Sequence, residues 1–309
     1  SVSEDGLLKQ IMLKETAIHL KYLFLEDSST FSCKIFYAEQ FHALRQKCGC
    51  GENFIQSISR CVKWSSNGGK SGSAFLKTLD DRFIIKQLSH AELEAFVKIS
   101  PNYFEYFTQA LYHDLLTVLS KIFGFYQIQI KNPANGKNFK MNVLIMENLF
   151  YNRPSLKIFD LKGSMRNRHV QVQTNKKNQV LLDENMVEYI YESPLYLRDR
   201  DKELLTASLF NDTLFLSKMN VMDYSLMIGI EDAPEKDMAD RELVVGIIDY
   251  IRTFTWDKKL ESWVKEKGLV GGGGGKKPTV VTPKQYKTRF REAMNRYILR
   301  VPDIWYHAD

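Results

Sequence analysis

Lys86, Asp223 and Asp249 are the residues whose types and settings in this sequence could do chemistry. Lys86 closes the apolar run Phe83-Ile84-Ile85-Lys86, a few residues after the glycine-bearing stretch Asn67-Gly68-Gly69-Lys70-Ser71-Gly72-Ser73. A glycine hairpin followed by an apolar strand ending in lysine is how a nucleotide kinase brings backbone N–H groups and an ammonium to the phosphates of ATP. The glycines alone do not decide the matter. A Walker A loop needs glycine where Trp64 stands, and the kinase pattern G-x-G-x-x-G finds Gly69 and Gly72 but Asn67 at its first position. A plain glycine turn between two strands stays open as the other reading. Glu92 and Glu94 are candidate partners for Lys86, although Glu92 could equally close a capping box with Ser89.

Phosphoryl transfer also needs one carboxylate to orient the attacking hydroxyl and another to hold Mg²⁺. Asp223 lies in Met222-Asp223-Tyr224-Ser225-Leu226, and Asp249 ends the apolar run Val244-Val245-Gly246-Ile247-Ile248. A carboxylate at the end of such a strand is costly to bury unless a charge meets it, and a metal is one such charge. A turn or helix-cap role remains the alternative for either aspartate. Neither His-Arg-Asp nor Asp-Phe-Gly occurs, which disfavours a protein kinase.

The elements that must carry these residues are legible as pattern. Residues 17–25 and 31–37 read as strands around a polar turn, so the chain is expected to open with β structure. Helical spacing covers 38–47 and recurs at Phe54, Ile55, Ile58 and Val62. A hairpin turns at Asp80-Asp81, a helix starts at Ser89, and a separate aromatic helix is expected from about Asn102 to Ser120. Strands are predicted over 122–130 and 139–146, joined by a turn at Asn135-Gly136. Further on, a long helix covers 201–219, strands cover 224–230 and 242–249, and Thr282-Pro283 opens a last helix.

Composition narrows the class. The 309 residues carry 43 Lys+Arg against 37 Asp+Glu, a net charge of +6, and 44% are hydrophobic, with 19 Phe and 15 Tyr. That excludes global disorder and gives ample material for a core. No apolar run approaches the roughly 18 residues of a membrane span, and residues 1–30 lack a signal-peptide layout, so membrane contact is expected to be peripheral. Cys33, Cys48, Cys50 and Cys61 are too few and too local for a disulfide framework, and Cys48-Gly49-Cys50 is too short a spacing for half a zinc site. They are read as buried or free thiols in a reducing compartment.

Several ordered motifs carry a resemblance. Asp160-Leu161-Lys162-Gly163-Ser164 with Arg168, Met222-Asp223-Tyr224-Ser225-Leu226 and Gly246-Ile247-Ile248-Asp249 resemble the signature motifs of the phosphatidylinositol phosphate kinases. Asp80-Asp81-Arg82-Phe83-Ile84-Ile85-Lys86-Gln87, Asp249-Tyr250-Ile251-Arg252-Thr253-Phe254-Thr255-Trp256 and Pro278-Thr279-Val280-Val281 are similar to the type III (Fab1/PIKfyve) branch, the phosphatidylinositol 3-phosphate 5-kinases. The likeness runs over about 17–306.

The resemblance implies an α+β, two-lobed kinase-like fold, with an N-terminal lobe over 1–147 and a C-terminal lobe over 148–309 forming one catalytic domain. It implies transfer of the ATP γ-phosphate to the 5-hydroxyl of phosphatidylinositol 3-phosphate, with Mg²⁺, at the cytoplasmic face of endosomal or vacuolar membranes and with no nucleic-acid partner. Gly69, Lys70, Ser71, Gly72, Ser73 and Lys86 would meet ATP, as would the backbone of Met146, Glu147, Asn148 and Leu149. Asp249 would hold the metal and Asp223 would be the catalytic-loop carboxylate. Asp160, Lys162 and Arg168 would lie at the inositol phosphate, with ordinary surface charge as the other reading of the two cations. The segment 250–282 would be the activation loop, and Lys276 and Lys277 beside its five glycines would touch the lipid surface, unless they belong to a solvated linker. One departure is that no catalytic-loop Asn for a second metal is evident. Relatives of this branch carry lipid-binding and chaperonin-like regions that serve a scaffold complex. A catalytically silent phosphoinositide-binding module and a soluble inositol phosphate kinase are the rival functions.

Overall fold

The computed structural model describes residues 3–64, 75–134, 136–153, 156–172, 179–231, 241–251 and 281–301. Helix α1 (Glu4–Met12) comes first, capped by Ser3, whose hydroxyl accepts the Gly6 N–H at 3.1 Å. The expected opening strand is therefore preceded by a helix. Two turns containing a glycine give little periodicity to read, and tertiary contacts such as Lys47 to Asp5 at 2.7 Å hold it.

Among the described residues, a seven-stranded antiparallel sheet has the order β1-β2-β6-β7-β5-β4-β3. Its strands are β1 (Leu20–Glu26), β2 (Ser29–Ile35), β3 (Cys61–Trp64), β4 (Phe75–Thr78), β5 (Phe83–Leu88), β6 (Ile122–Asn132) and β7 (Lys137–Glu147). Helix α2 (Ala38–Lys47) matches its expected span, whereas the helical reading through Val62 is overturned. Helix α3 stops at Ile58 (Phe54–Ile58), and Val62 pairs with Lys77 in β3–β4. The four-residue step from Ile58 to Val62 imitates a helix face but belongs to a helix end and a strand.

Helix α4 (His90–Tyr112) is one element where two were expected. Pro101 lies inside it and cannot donate to Val97, which should break the helix. The Tyr37 hydroxyl donates to that freed Val97 carbonyl at 2.9 Å, so the helix continues. The core around α4 is aromatic: Phe96, Tyr103 and Phe107 are fully buried, and Phe96 meets Phe125 edge-on at 5.0 Å.

A second sheet, β12-β11-β8-β9, follows. It comprises β8 (Leu156–Leu161), β9 (Val180–Leu181), β11 (Ser225–Glu231) and β12 (Leu243–Ile248), with helices α5 (Asp183–Glu192) and α6 (Asp199–Lys218) in its connections. Helix α7 (Pro283–Tyr297) leads into β13 (Ile298–Val301), which pairs in parallel with β10 (Leu195–Arg198). Phe159, Leu161, Leu226, Ile228 and Ile247 alternate onto the buried face of the second sheet, leaving Asp160, Met227 and Ile248 on the other.

The α4–β6 connector ties the sheets together. Ser120 donates to the Ile247 carbonyl at 2.9 Å, Ile247 donates to Val118 at 2.7 Å, and the Tyr250 hydroxyl donates to the Ser120 carbonyl. Asp212 of α6 holds the start of this connector. Its buried carboxylate accepts from Tyr106 and Thr117, each at 2.6 Å, and from the Val118 N–H at 2.7 Å. Strand β1 differs from the rest: every residue is exposed, Leu25 at 83%, and its outer edge has no strand partner among the described residues.

Burial pushes the Asp212 carboxyl from 3.8 up to about 6, more than its hydrogen bonds pull it down. A raised carboxyl pKa favours the folded state while the group is protonated, and that contribution is lost as pH rises from 3.8 through about 6. The expected loss across this window is up to about 3 kcal/mol at 1.36 kcal/mol per unit. Asp212→Asn should remove that share of the slope in urea titrations at each pH, whatever it does to baseline stability; parent and variant curves running parallel would sink the assignment.

Candidate active site

Lys86 projects from β5, where it pairs in register with Leu144 and Phe75, and its side chain is 5% exposed. The Nζ donates to Oδ1 of Asp249 at 2.7 Å, a contact 163 residues apart along the chain. Glu92 instead closes the box at Ser89, accepting the Ser89 N–H at 2.9 Å, and Glu94 lies 3.5 Å from the His90 ring on the surface. Asp249 directly follows β12 in the left-handed backbone region at φ 60°, a conformation aspartate tolerates better than most residues.

Beside this pair lies a cavity of about 130 Å³ between the sheets, lined by Ile84 and Met146–Phe150 on one side and Asp160, Met227, Ile248 and Asp249 on the other. The connector residues 146–149 come close because Gly246 leaves room: a Cβ there would lie 2.5 Å from the Leu149 side chain. Most polar groups of this connector are already used. The Glu147 N–H donates to Lys121 and the Asn148 N–H to Arg82, at 2.9 and 3.0 Å, and the Glu147 carboxylate accepts from the Lys121 N–H at 2.6 Å. Leu149 is the residue whose backbone N–H and C=O make no hydrogen bond among the described residues.

Strand register gathers the remaining candidates. Ser225 pairs with Ile248 and Leu226 with Leu161, so Asp223, Asp249 and Lys162 all fall at one end of the β8–β11–β12 ladder. Asp223 also has positive φ, at 65°, and is exposed.

Arg168 is engaged within the protein. Its Nη2 donates to Asp160 Oδ1 at 2.8 Å and to the Asp160 carbonyl, and its Nε donates to Asp183 Oδ2 at 2.8 Å. Burial acts against its charge, but Asp160 and Asp183 outweigh it and its pKa is raised. Asp183, the fully buried first residue of α5, also accepts the N–H groups of Lys162 at 3.1 Å and Gly163 at 2.8 Å and the Tyr297 hydroxyl at 3.2 Å. Gly163 has φ 68°, and a Cβ on it would sit 2.9 Å from that of Ala293 on α7. Helix α7 further donates the Tyr286 hydroxyl to the Tyr224 carbonyl, next to Asp223. The same helix thus backs both turns at that end of the ladder.

Gly69, Lys70, Ser71, Gly72, Ser73, Lys276 and Lys277 lie outside the described residues, as does most of 250–282. The four cysteines are free; burial raises the Cys48 thiol to about 12, and no group of three or more His, Cys, Asp or Glu fit to hold a metal occurs among the described residues.

A family model described as phosphatidylinositol-4-phosphate 5-kinase matches residues 57–243 and 233–297. The chain belongs to this phosphatidylinositol-4-phosphate 5-kinase family. Among relatives, it is 68% identical over 301 residues to the Saccharomyces cerevisiae 1-phosphatidylinositol 3-phosphate 5-kinase FAB1, covering 97% of this chain and 13% of that protein. It is 49% identical over 313 residues to 1-phosphatidylinositol-3-phosphate 5-kinase FAB1A of Arabidopsis thaliana, covering 98% and 17%. The human 1-phosphatidylinositol 3-phosphate 5-kinase is 47% identical over 291 residues, covering 93% and 14%. The chain therefore spans under a fifth of the length of these relatives. The α+β class expected from the sequence agrees with the two antiparallel-rich sheets and with this kinase family.

Within this family member, Asp183, Tyr250, Tyr286 and Tyr297 are the supporting residues that sequence reasoning missed. Only the acidic pair Asp183-Glu184 at a helix start offered a signal, and it reads as ordinary dipole compensation. Removing Asp183 would leave the Arg168 Nε and two backbone donors without an acceptor and take one of two carboxylates from a buried guanidinium, so Asp183→Ala should cost about 3 kcal/mol or more. Tyr297→Phe removes one neutral donor and should cost about 1 kcal/mol. Urea denaturation compares them, and equal small losses would show that Asp183 is no hub.

Proposed function

We propose that this chain is a lipid kinase that transfers the γ-phosphate of ATP to the 5-hydroxyl of phosphatidylinositol 3-phosphate, giving the 3,5-bisphosphate. The observation that carries it is the Lys86–Asp249 pair at 2.7 Å beside the 146–150 connector, in a family of phosphoinositide kinases. The names of the relatives, each a phosphatidylinositol 3-phosphate 5-kinase, support the substrate.

On this reading residues 1–147 and 148–309 act as two lobes of one catalytic domain, with the nucleotide between them. The Leu149 N–H and C=O are the free connector groups for the adenine edge, and the Lys86 ammonium meets the phosphates. The glycine stretch Gly69-Lys70-Ser71-Gly72-Ser73 would cover those phosphates with backbone N–H groups. Asp223 orients the 5-hydroxyl; the oxygen of that hydroxyl bonds the γ-phosphorus as the bond to the bridging oxygen breaks, ADP leaves, and the hydroxyl proton passes to the Asp223 carboxylate.

The donor set suits Mg²⁺, which takes one or two carboxylates together with phosphate oxygens and water. Asp249 and Asp160 both line the cavity and supply oxygen ligands of that kind. Mg²⁺, when bound, neutralises charge on the β- and γ-phosphates. Most of the rate would come from positioning and electrostatics.

No helix among the described residues is long and apolar enough to cross a membrane. Lys276 and Lys277 would contribute on the order of 1 kcal/mol each at an anionic surface, holding the domain peripherally on endosomal or vacuolar membranes. A scaffold complex would act through parts of the relatives outside this chain.

Asp249→Ala should abolish labelled phosphate transfer to vesicles of each monophosphoinositide, with products resolved by headgroup position, in a chain that still folds but at a lowered thermal midpoint, because the buried Lys86 loses its counter-charge. Retained turnover removes Asp249 from the mechanism. Nucleotide binding without turnover in the parent favours a silent module, and turnover on free headgroup favours a soluble inositol phosphate kinase. Lys276 and Lys277 changed together to Ala should slow turnover on vesicles in a salt-dependent way; an unchanged rate at low salt refutes their membrane role.

A further inference from the structure

Of the cleft pair, Lys86 is held within a strand, whereas Asp249 lies just past one. Strand β12 ends at Ile248, paired with Ser225, so no ladder bond reaches Asp249, and Lys86 is the one hydrogen-bond partner of its side chain among the described residues. Its backbone is also at φ 60°, a setting that a non-glycine residue keeps only when its surroundings hold it there. One residue supplies the hold on both sides. The Ser120 N–H donates to the Ile247 carbonyl at 2.9 Å, two residues before Asp249, and the Ser120 carbonyl accepts from the Tyr250 hydroxyl, one residue after it. Ile247, Ile248, Asp249, Tyr250 and Ser120 thus form a ring closed by two hydrogen bonds, with Asp249 between its anchors.

The Tyr250 oxygen is the weak point of that ring. Tyr250 and Ser120 are both buried, so no water takes the place of a donor lost at the Ser120 carbonyl. A phenylalanine would fill the same space, and the oxygen alone ties the segment to the connector. A second phenol in the same interior supplies the contrast. Tyr103 of α4, fully buried and alongside Tyr250, accepts the Ile122 N–H at 2.8 Å and donates to the Ile122 carbonyl at 3.1 Å. The two hydroxyls adjoin, but each has one proton to give: that of Tyr103 goes to Ile122 and that of Tyr250 to Ser120. Removing the Tyr103 oxygen therefore leaves the ring closed, whereas removing the Tyr250 oxygen opens it.

We propose that Tyr250 is a positioning residue for phosphoryl transfer: by closing the ring through Ser120, its hydroxyl holds the Asp249 carboxylate against Lys86 and toward the transferring phosphate. This rests on the kinase reading above. The test compares Tyr250→Phe and Tyr103→Phe with the parent chain, using Mg-ATP and phosphatidylcholine vesicles carrying phosphatidylinositol 3-phosphate, at a temperature below all three thermal midpoints. Tyr250→Phe should lower kcat roughly 10-fold, as expected when a lost hydrogen bond leaves a reacting group misplaced. Its KM for ATP should stay within about twofold of the parent's, because the binding groups are untouched. Tyr103→Phe should lower the thermal midpoint about as much while keeping kcat near the parent's. Equal losses of kcat in the two variants mean a structural role and overturn the proposal; so does an unchanged kcat in Tyr250→Phe, or a loss confined to KM for ATP. Amide hydrogen exchange over residues 247–251, without nucleotide or vesicles, gives a readout that needs no turnover. Faster exchange there in Tyr250→Phe than in Tyr103→Phe supports the ring, and equal rates refute it. If the parent turns over no lipid, the kinase reading fails separately, and exchange alone decides whether Tyr250 holds Asp249.

Discussion

A buried ammonium needs a counter-charge, and Lys86 finds its own on the other sheet. With the lysine side chain 5% exposed and Asp249 at 39%, the cation is the partner that depends on the contact. An unmatched charge at Lys86 would be costly, so the two sheets must dock where β5 faces the end of β12. The α4–β6 connector meets that requirement by joining β12 through Val118 and Ser120, and Tyr250, next to Asp249, reaches back to the Ser120 carbonyl. The ion pair and the connector thus act on the same few residues, one through charge and the other through backbone.

Helix α7 does the corresponding work on the far side of the ladder. It contributes Tyr286 to the turn bearing Asp223, Ala293 against Gly163, and Tyr297 to Asp183. Asp183 concentrates the energetics because a fully buried carboxylate with an arginine and several N–H donors is far harder to lose than a neutral hydrogen bond. Holding Arg168 between Asp160 and Asp183 also fixes where Asp160 can point, which matters for any group that enters the cavity it lines.

What could be read in the sequence was what local pattern encodes. Strands such as Phe83–Leu88 and Ser225–Glu231 and the long helix over Asp199–Lys218 announce themselves by period, and the family motifs around Lys162, Asp223 and Asp249 by order. The cleft residues Lys86, Met146–Leu149, Asp160 and Asp249 were singled out from the sequence and lie together, although their roles go beyond geometry. The failures share a cause. Helix α4 passes through Pro101 only because Tyr37, 64 positions earlier, satisfies Val97. Val62 belongs to a strand because Lys77 lies opposite it, and Asp183 is a hub because α5 carries it under a turn some 20 residues back. Each depends on a partner distant in sequence, where no windowed pattern can see it.

Strand β1 places Leu23, Phe24 and Leu25 in water beside a row of backbone amides that no other strand meets among the described residues. Such a rail is a template for ordered stacking of one molecule on the next, and the modest net charge of +6 offers little long-range repulsion against it. Among the described residues this seven-residue margin is therefore where isolated copies would stack, and handling conditions would have to be chosen for it first.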